Sequence, residues 1–516
     1  MRKKRVKNGI LRGVITALAI VLQIGWIVFA AYYLEGRVGL ISVVAGVVAV
    51  VAALYMFGRN SNSAYKLPWL FLILAFPIFG VILYFATGHS AFSRRRISKY
   101  KSEARRMQDK LFSNRGALER SRNFGIQKSI LNQYKYVEHH GQYPLYDDSD
   151  IDYFPDSAIA LESMIEDMNH AKQFIMLEYH AIEVSEAFRR VEEVLARKAS
   201  EGVEVRIIYD DVGSIGFIDI DFVQRMKKNG IECRVFNPMR PFINGFINNR
   251  DHRKITVIDG CIGYTGGFNL ADEYFNLVSP YGYWKDSAVR IEGRAVETLS
   301  ALFIEMWNGI AKSTDDIERF FLPRTRVDCK KSQSEGLVQP YGDSPLDKEY
   351  VAENIYINMI NAAEDYVWFS TPYLIIDDEM KRALSLAAAK GVDVRIIIPS
   401  IPDKKLVYKV TNSYASSLSI LDIKIYKYKP GFNHSKLCLT DDKIACCGTV
   451  NLDYRSLFLH FENGVLFSQK EAIHKVKNDM EEMFKVSENV SDEYRLNSTR
   501  RNRLLDSILR LMAPLL

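Results

Sequence analysis

The hydrophobic positions of the chain are concentrated in its first 90 residues, whereas the remainder mixes apolar and polar positions. Three runs without a charged residue follow one another, at Gly13–Leu34, Val38–Phe57 and Leu67–Thr87. Each contains at least 20 residues, and a helix of that length spans about 30 Å, the thickness of the hydrocarbon core of a bilayer. These runs predict membrane-inserted helices, and we interpret residues 1–90 as a membrane anchor.

Basic residues on both sides of this anchor predict its orientation. Lys and Arg crowd residues 2–12 and the stretch Arg94–Lys110, and basic segments tend to stay on the cytoplasmic side. We therefore expect two spanning helices and a third segment that is re-entrant or interfacial, bending near Pro77 and Gly80. Three full crossings are the alternative, and a cleaved signal peptide is the alternative for the first run. Residues 91–145 are interpreted as a basic juxtamembrane linker.

Beyond residue 145 a strand–helix–strand pattern occurs twice. The segments are Phe174–Tyr179, Glu186–Ala199 and Val203–Tyr209 in the first copy, and Tyr366–Phe369, Asp378–Ala389 and Val392–Ile398 in the second. Such units are typical of an α/β fold with parallel strand pairs, and their duplication indicates two similar lobes. We predict mixed, mostly parallel sheets flanked by helices in lobe 1 (residues 146–326) and lobe 2 (residues 327–490), with a turn-rich boundary at Val327–Leu346.

Composition narrows the class of protein. Hydrophobic residues make up 48% and charged residues 25% of the 516 positions, which excludes intrinsic disorder for most of the chain. The six cysteines form no C-x-x-C pair and are too sparse for a disulfide scaffold. We therefore predict reduced thiols that face a reducing compartment.

A chemical motif recurs at corresponding places in the two halves. The spacing H-x-K-x-x-x-x-D is found at His252, Lys254 and Asp259, and again at His434, Lys436 and Asp441. Residues two apart in a strand point to one face, so each imidazole and its lysine project together. An imidazole can act as nucleophile or proton donor, and an ammonium can neutralise a phosphoryl oxygen. We assign all six as catalytic, although the aspartates lie at expected turns and should support the site rather than react.

Small residues and asparagines follow each motif, namely Gly267 and Asn269 in the first half and Gly448 and Asn451 in the second. Glycine lets a backbone approach an anion closely, and an asparagine amide can donate hydrogen bonds to it. One copy of the motif would be weak evidence, but two copies at corresponding places predict a phosphate site.

The paired motifs resemble the HKD motifs of the phospholipase D superfamily over about residues 145–470. The resemblance implies that two lobes meet face to face and share one phosphate site. It implies that one histidine forms a phosphohistidine, and that the other protonates the leaving alcohol and deprotonates the incoming one. No metal and no other cofactor would be required. A reactive histidine needs an orienting carboxylate, and Asp286 and Glu462 are the candidates.

Over nearly its whole length the chain resembles bacterial cardiolipin synthases, in the N-terminal apolar runs and in Tyr209–Gly213, Arg250–Lys254, Tyr264–Asn269 and Ala513–Leu516. His180 stands where an aromatic residue is expected, and Thr449 where serine is commoner. The resemblance implies a phosphatidyltransferase of the bacterial cell membrane, with cytoplasmic lobes, that makes cardiolipin and glycerol from two phosphatidylglycerol molecules. It favours His252 as nucleophile and His434 as acid and base.

The predicted partners are phosphatidylglycerol and anionic membrane lipid, with no nucleic acid, while a homo-oligomer is left open. Residues 491–516 carry a basic amphipathic helix that either lies on a membrane or packs against the lobes. The alternative functions are another phosphatidyl transferase or a hydrolytic phospholipase D, a nuclease of the superfamily, and a non-catalytic membrane scaffold. Basic clusters beside the apolar runs disfavour the nuclease, and two intact motifs disfavour the scaffold.

Overall fold

The computed structural model describes residues 39–58, 62–87, 94–111, 126–238, 249–311, 320, 335–497 and 503–513, with a few isolated positions between 21 and 33. The predicted apolar run Gly13–Leu34 and the first part of the boundary Val327–Leu346 lie mostly outside the described residues. The helices are α1 Gly39–Phe57, α2 Ser63–Ala75, α3 Pro77–Thr87, α4 Arg94–Leu111, α5 Lys128–Tyr136, α6 Ser157–Asn169, α7 Glu186–Ser200, α8 Phe222–Lys228, α9 Val296–Ile310, α10 Val351–Ala362, α11 Asp378–Ala389, α12 Lys405–Ser419, α13 Tyr454–Phe458, α14 Lys470–Lys485, α15 Ser491–Asn497 and α16 Arg503–Met512.

The strands are β1 Ser149–Phe154, β2 Phe174–Tyr179, β3 Glu204–Asp210, β4 Ile231–Phe236, β5 Lys254–Ile258, β6 Ile262–Gly266, β7 Tyr283–Lys285, β8 Ala288–Gly293, β9 Val338–Asp343, β10 Tyr366–Ser370, β11 Leu374–Ile375, β12 Asp393–Pro399, β13 Lys424–Tyr428, β14 Gly431–Asn433, β15 Leu437–Thr440, β16 Ile444–Gly448, β17 Leu452–Asp453, β18 Glu462–Phe467 and β19 Ser487–Asn489. Lobe 1 is a seven-stranded sheet in the order β1-β8-β6-β5-β2-β3-β4. Lobe 2 has the order β19-β13-β12-β10-β15-β16-β18-β9, which repeats lobe 1 in reverse with β19 added at one edge.

The prediction of two similar α/β lobes is confirmed by this repeated strand order, but the prediction of mostly parallel sheets is wrong. Only two of the six described strand pairs in lobe 1 are parallel, and only two of seven in lobe 2. Helical crossovers produce the parallel pairs. The strands that follow each histidine are instead joined by short turns at Asp259 and Asp441, and strands joined by a short turn must be antiparallel.

A hydrophobic core runs between the lobes. Ile255 and Val257 of β5 belong to the same buried cluster as Leu437 and Leu439 of β15, so the motif strands of the two sheets approach each other. Helix α9 is buried along almost its whole length beside them. Apolar burial stabilises by about 25 cal/mol per Å², and a core shared by both sheets therefore holds the lobes in one arrangement.

The basic stretch that follows the apolar region is part of this core, which corrects its interpretation as a linker. Tyr100, Met107 and Leu111 of α4 are buried. Tyr100 lies against Gly309 of α9, where an added Cβ would come within 2.2 Å of the tyrosine ring. Most basic residues of α4 are exposed on its other side. An amphipathic helix can bury one apolar stripe even when most of its residues are charged.

The third apolar run folds as two helices. α2 ends at Ala75 and α3 begins at Pro77, whereas Pro68 lies inside α2 without ending it. Gly80 passes so close to α2 that an added Cβ would lie 2.5 Å from the Leu72 carbonyl oxygen. The chain therefore bends where Pro77 and Gly80 predicted. Within the ranges that the structure describes, no helix has both the length and the apolarity needed to cross a membrane.

Helices α2 and α16 both attach to lobe 2. Ala64 of α2 and Leu509 of α16 pack in one cluster with Tyr454 of α13. Arg510 of α16 donates a hydrogen bond to the Ser413 carbonyl oxygen of α12 at 2.7 Å. Of the two alternatives for the C-terminal tail, the structure shows packing against a lobe.

The prediction of six reduced thiols is wrong at Cys261, which is disulfide-bonded. Cys329 lies outside the described residues. The four free thiols are Cys233, Cys438, Cys446 and Cys447. Burial raises the pKa of Cys446 to about 12, so this thiol stays protonated and packs as a small apolar group. Sequence spacing could not reveal a pairing that depends on the folded chain.

Candidate active site

Backbone pairing between the lobes brings the two motifs together. The N–H of His252 donates to the Phe461 carbonyl oxygen at 2.9 Å, and the N–H of His434 donates to the Lys285 carbonyl oxygen at 2.7 Å. Beside the second contact, β14 pairs in parallel with β7. Each lobe thus binds the start of the other lobe's motif, and the same contact is made twice around one centre.

Each motif histidine is bonded by a carboxylate of the opposite lobe. His252 Nδ1 lies 2.9 Å from Glu462 Oε2, and His434 Nδ1 lies 2.7 Å from Asp286 Oδ2. The histidines are 9% and 6% exposed, and the carboxylates 0% and 1%. An imidazole that donates from Nδ1 to a carboxylate carries its lone pair on Nε2, which is then the nitrogen that can react. At His434, Lys436 Nζ also lies 2.8 Å from Nδ1.

The carboxylates are themselves held in place. The N–H of Ser287 donates to Asp286 Oδ1 at 2.9 Å, and the Thr449 hydroxyl donates to Glu462 Oε2. Burial raises the pKa of Asp286 to about 6, and the nearby Lys436 charge opposes that rise. At neutral pH the Asp286 carboxyl is therefore ionised and can accept the imidazole N–H.

The two motif lysines are buried beside the histidines. Lys254 Nζ donates to the His252 carbonyl oxygen at 2.7 Å, and Lys436 Nζ donates to that of His434. Burial lowers the pKa of Lys254 to about 8 and that of Lys436 to about 7. Burial and the two ammonium groups also hold the pKa of both histidines well below the usual value. The carboxylates of Asp286 and Glu462 act in the opposite direction and raise the pKa of both lysines.

Asp259 and Asp441 were grouped with the catalytic residues but were expected to support the site rather than react, and their contacts agree with a supporting role. Both lie at the end of the motif strand away from the lysine, with left-handed φ of 51°. Asp259 accepts hydrogen bonds at 2.7–2.9 Å from the backbone N–H groups of Lys172, Gln173 and Phe174. Asp441 does the same at 2.7–3.0 Å with Glu364, Asp365 and Tyr366. These hydrogen bonds hold the backbone at the points where β2 and β10 begin, which is a structural role.

The two glycines after the motifs make room for protein rather than for an anion. A Cβ at Gly267 would lie 2.0 Å from Asp286 Oδ1, and one at Gly448 would lie 2.5 Å from the Asn463 carbonyl oxygen. Gly267 therefore permits the Asp286–His434 hydrogen bond, and Gly448 permits close pairing of β16 with β18. Their predicted role of admitting a phosphate is not the one that the structure shows.

The two asparagines differ in their surroundings. Asn269 accepts from the Ala181 N–H at 3.1 Å and donates to the Tyr274 hydroxyl at 2.8 Å, so its amide is already bonded to protein. Asn451 is 5% exposed, and its Oδ1 has no hydrogen-bond partner among the described residues. Only Asn451 thus retains an unused polar atom.

Most of the rings that surround the two motif histidines were not predicted from the sequence. The ring of His252 lies 5.0 Å from that of His180 and 5.5 Å from that of His460. The ring of His434 instead lies 5.2 Å from that of Trp284. His460 and Trp284 stand two residues before the carboxylates of their lobes. Alignment of the two downstream segments would have revealed this difference.

One group among the described residues combines side chains of the types that bind metals. His252, His460 and Glu462 place one ligand-type atom each within 4.8 Å of one another. His252 Nδ1 is engaged by Glu462, and His460 Nε2 accepts from Arg455 Nε at 3.4 Å. In the described structure Glu462 is therefore hydrogen-bonded to His252, and His460 is hydrogen-bonded to Arg455.

Two lobes that share two imidazoles, two ammonium groups and two carboxylates define an enzyme of the phosphoryl-transfer class. A family model described as "Cardiolipin synthase, PLD-like domain" matches residues 164–307 and 356–484. A second, described as "phospholipase D-nuclease N-terminal", matches residues 47–89. The chain belongs to the cardiolipin synthase family of phospholipase D-like enzymes.

Individual relatives agree with this family. The chain is 31% identical to a cardiolipin synthase of Alkalihalophilus pseudofirmus, over 95% of this chain and 98% of the relative. It is 33% identical to one of Listeria welshimeri, over 90% and 96%. A crystal structure of phosphatidylserine synthase from Haemophilus influenzae matches with a TM-score of 0.55 at 12% identity, covering 74% of this chain and 98% of that one. The last comparison shows a shared fold.

Proposed function

We propose that this protein is a membrane-bound phosphatidyltransferase that makes cardiolipin and glycerol from two molecules of phosphatidylglycerol. The observation that carries the proposal is the crossed pairing of His252 with Glu462 and of His434 with Asp286. It supplies two oriented imidazoles at one cationic centre, as a double displacement at phosphorus requires. The relatives named above support the lipid substrate.

In the first displacement, His252 Nε2 attacks the phosphorus of a bound phosphatidylglycerol. The bond from phosphorus to the head-group glycerol oxygen breaks, and His434 donates its Nε2 proton to that oxygen. Glycerol leaves, and the phosphatidyl group stays on His252 as a phosphohistidine. Glu462 accepts the Nδ1–H of His252 throughout and stabilises the positive charge that develops on the ring. Phosphate binding raises the pKa of His434, which provides the acid form.

In the second displacement, the terminal hydroxyl of another phosphatidylglycerol attacks the phosphohistidine. His434 removes the hydroxyl proton while the bond between phosphorus and His252 Nε2 breaks, which releases cardiolipin and restores both histidines. One phosphodiester bond is broken and one is formed, with no net uptake of water. Water entering in place of the alcohol would give phosphatidic acid.

The two lysines provide the electrostatic part of the mechanism. Lys254 and Lys436 would bind the non-bridging phosphoryl oxygens, where negative charge must be stabilised in the transition state. Burial lowers the pKa of both lysines, and the negative charge of a bound phosphate would favour their ammonium forms. Substrate binding and lysine protonation are therefore coupled.

Exposed apolar side chains on the N-terminal helices support a membrane location. Leu54 of α1 is 66% exposed and Phe71 of α2 is 63% exposed, and large apolar patches of this kind mark membrane or protein contacts. We propose two spanning helices within residues 1–57, with α2 and α3 inserted beside lobe 2 without crossing. The lobes would face the cytoplasm, as the basic stretches predict. The disulfide at Cys261 argues for the opposite side, because disulfides persist mainly in oxidising compartments.

The proposed reaction is tested with detergent-purified protein and phosphatidylglycerol labelled in both its acyl and head groups. Cardiolipin and free glycerol should form in equal amounts. His252→Ala and His434→Ala should each abolish turnover, whereas His474→Ala, on the exposed side of α14, should not. Phosphatidic acid as the only lipid product would show a hydrolase. Most of the activity surviving in either active-site variant would refute the shared site.

The topology is tested in intact cells. Single cysteines near residues 8, 36 and 150 are introduced into a version without native cysteines, and cells are treated with an impermeant thiol reagent. Labelling near residue 36 only is expected. Labelling near residue 150 would place the lobes outside, and the cytoplasmic proposal would be abandoned.

A further inference from the structure

The residue two positions before each orienting carboxylate differs between the lobes. In lobe 1, Trp284 lies with its ring 5.2 Å from that of His434. At the equivalent place in lobe 2, His460 lies with its ring 5.5 Å from that of His252. A tryptophan offers one N–H donor, whereas an imidazole can both donate and accept. Two halves with the same backbone arrangement thus give their reactive histidines different polar neighbours.

A hydrogen bond fixes which nitrogen of His460 carries the proton. Arg455 Nε donates to His460 Nε2 at 3.4 Å, so Nε2 is the accepting nitrogen and the ring hydrogen lies on Nδ1. The backbone N–H of His460 donates to the Arg455 carbonyl oxygen at 2.9 Å, which keeps the two residues together. Burial holds the pKa of His460 well below the usual value; the Glu462 carboxylate opposes this shift and the Arg455 charge adds to it. The ring is therefore neutral.

The proton-bearing nitrogen of His460 faces the carboxylate that orients His252. His460 Nδ1 lies 3.6 Å from Glu462 Oε1. Both atoms are buried, and neither has a hydrogen-bond partner among the described residues. The other oxygen, Oε2, accepts from His252 and from the Thr449 hydroxyl. Because an unpartnered buried donor and acceptor both cost free energy, a small movement that joins them is favoured.

We propose that His460 is a positioning residue, whose Nδ1–H holds Oε1 of Glu462 and, through that carboxylate, orients the ring of His252. This inference rests on the proposed function, because it assumes that His252 reacts with phosphorus. The hydrogen bond withdraws electron density from the carboxylate. Glu462 then accepts the Nδ1–H of His252 without strongly favouring the doubly protonated ring, and Nε2 keeps the lone pair with which it attacks.

Loss of the His460 donor should make the Glu462 carboxylate more basic. A more basic carboxylate stabilises the protonated form of His252 and raises its pKa. Other charged or titratable groups face these two rings from neighbouring elements, and they are His180, Lys254, Lys404, His434, Lys436 and Arg455. They are unchanged in variants of His460, so they form a constant background.

The test compares the pH dependence of kcat/KM for phosphatidylglycerol in three variants. His460→Phe keeps a ring and removes the donor, whereas His460→Asn keeps an N–H near the position of Nδ1. His474→Phe is the matched control on the exposed side of α14. The part of the acid limb that His252 protonation sets should move up by about half to one pH unit in His460→Phe, and the other two variants should follow the wild type. An unshifted His460→Phe, or an equal shift in His460→Asn, would overturn the proposal.

A second readout does not depend on lipid turnover. Diethyl pyrocarbonate acylates neutral imidazole, so the pH midpoint of His252 modification, measured by peptide mass spectrometry, reports the pKa of that ring. A wild type that forms no cardiolipin would refute the proposed function, while a raised midpoint in His460→Phe would still support the role of His460. An unchanged midpoint would overturn it. If His460→Phe does not fold, Arg455→Lys keeps the charge but removes the Nε donor, and it should raise the midpoint in the same direction.

Discussion

Each motif histidine is hydrogen-bonded to a carboxylate of the other lobe, and this crossed pairing gives a quantitative prediction about the free energy of unfolding. Asp286 follows the first motif in the chain but bonds the histidine of the second, at 2.7 Å. Asp286→Asn removes the charge from this bond and His434→Gln removes the imidazole, and the double variant loses nothing further between them. A hydrogen bond to a buried charged group contributes about 1.5–3 kcal/mol. The coupling free energy between the two substitutions should therefore be about 1.5–3 kcal/mol.

The matched control is the pair from the same lobe, Asp286→Asn with His252→Gln, for which the coupling should stay within about 0.5 kcal/mol. Urea unfolding at pH 7.5 is the assay, because Asp286 with a pKa of about 6 is ionised there. Tryptophan fluorescence can report it, since Trp284 packs against His434. A larger coupling in the same-lobe pair than in the crossed pair would refute the reasoning.

Three further predictions follow from the site. With pKa values of about 6 for Asp286 and about 7 for Lys436, kcat/KM should fall as the pH drops below about 6, where the carboxyl is protonated. It should fall again as the pH rises above about 7, where the ammonium is lost. Asp286→Asn should lose the part of the acid limb near pH 6 and keep the fall at lower pH that protonation of His252 sets. Gly267→Ala should lower kcat by about 100-fold or more, because the added Cβ would displace the Asp286 carboxylate and with it the His434 ring. Wild-type kinetics in this variant would contradict the prediction. Asp441→Asn should weaken hydrogen bonds to three backbone N–H groups and so lower the urea midpoint, while the folded protein keeps its turnover. A loss of turnover as large as that of His434→Ala would instead show a catalytic role for Asp441.

Part of the site could be predicted because its chemistry is local. His252 and Lys254 lie two apart in one extended segment, so their common direction follows from strand geometry alone. The left-handed turn at Asp259 also follows from its Asp-Gly dipeptide. The repeated motif and the repeated strand–helix–strand pattern predicted two similar lobes, and the repeated strand order of the two sheets confirms this prediction. The basic charge of the stretch that forms α4 was visible as well, but its helical packing against α9 was not, because that packing depends on a partner about 200 residues away in sequence.

The sequence by itself determined the reactive groups, the duplicated lobes and the apolar N-terminal helices, because residue type, short spacing and hydrophobic periodicity are local properties. Only the tertiary structure decided that Glu462 bonds His252 and that Asp286 bonds His434. It also decided that Gly267 makes room for a carboxylate and that His460 faces Glu462. These contacts depend on how two sheets meet across a shared apolar core. The interface joins residues about 150–210 positions apart in the chain, and no short pattern in the sequence encodes that arrangement.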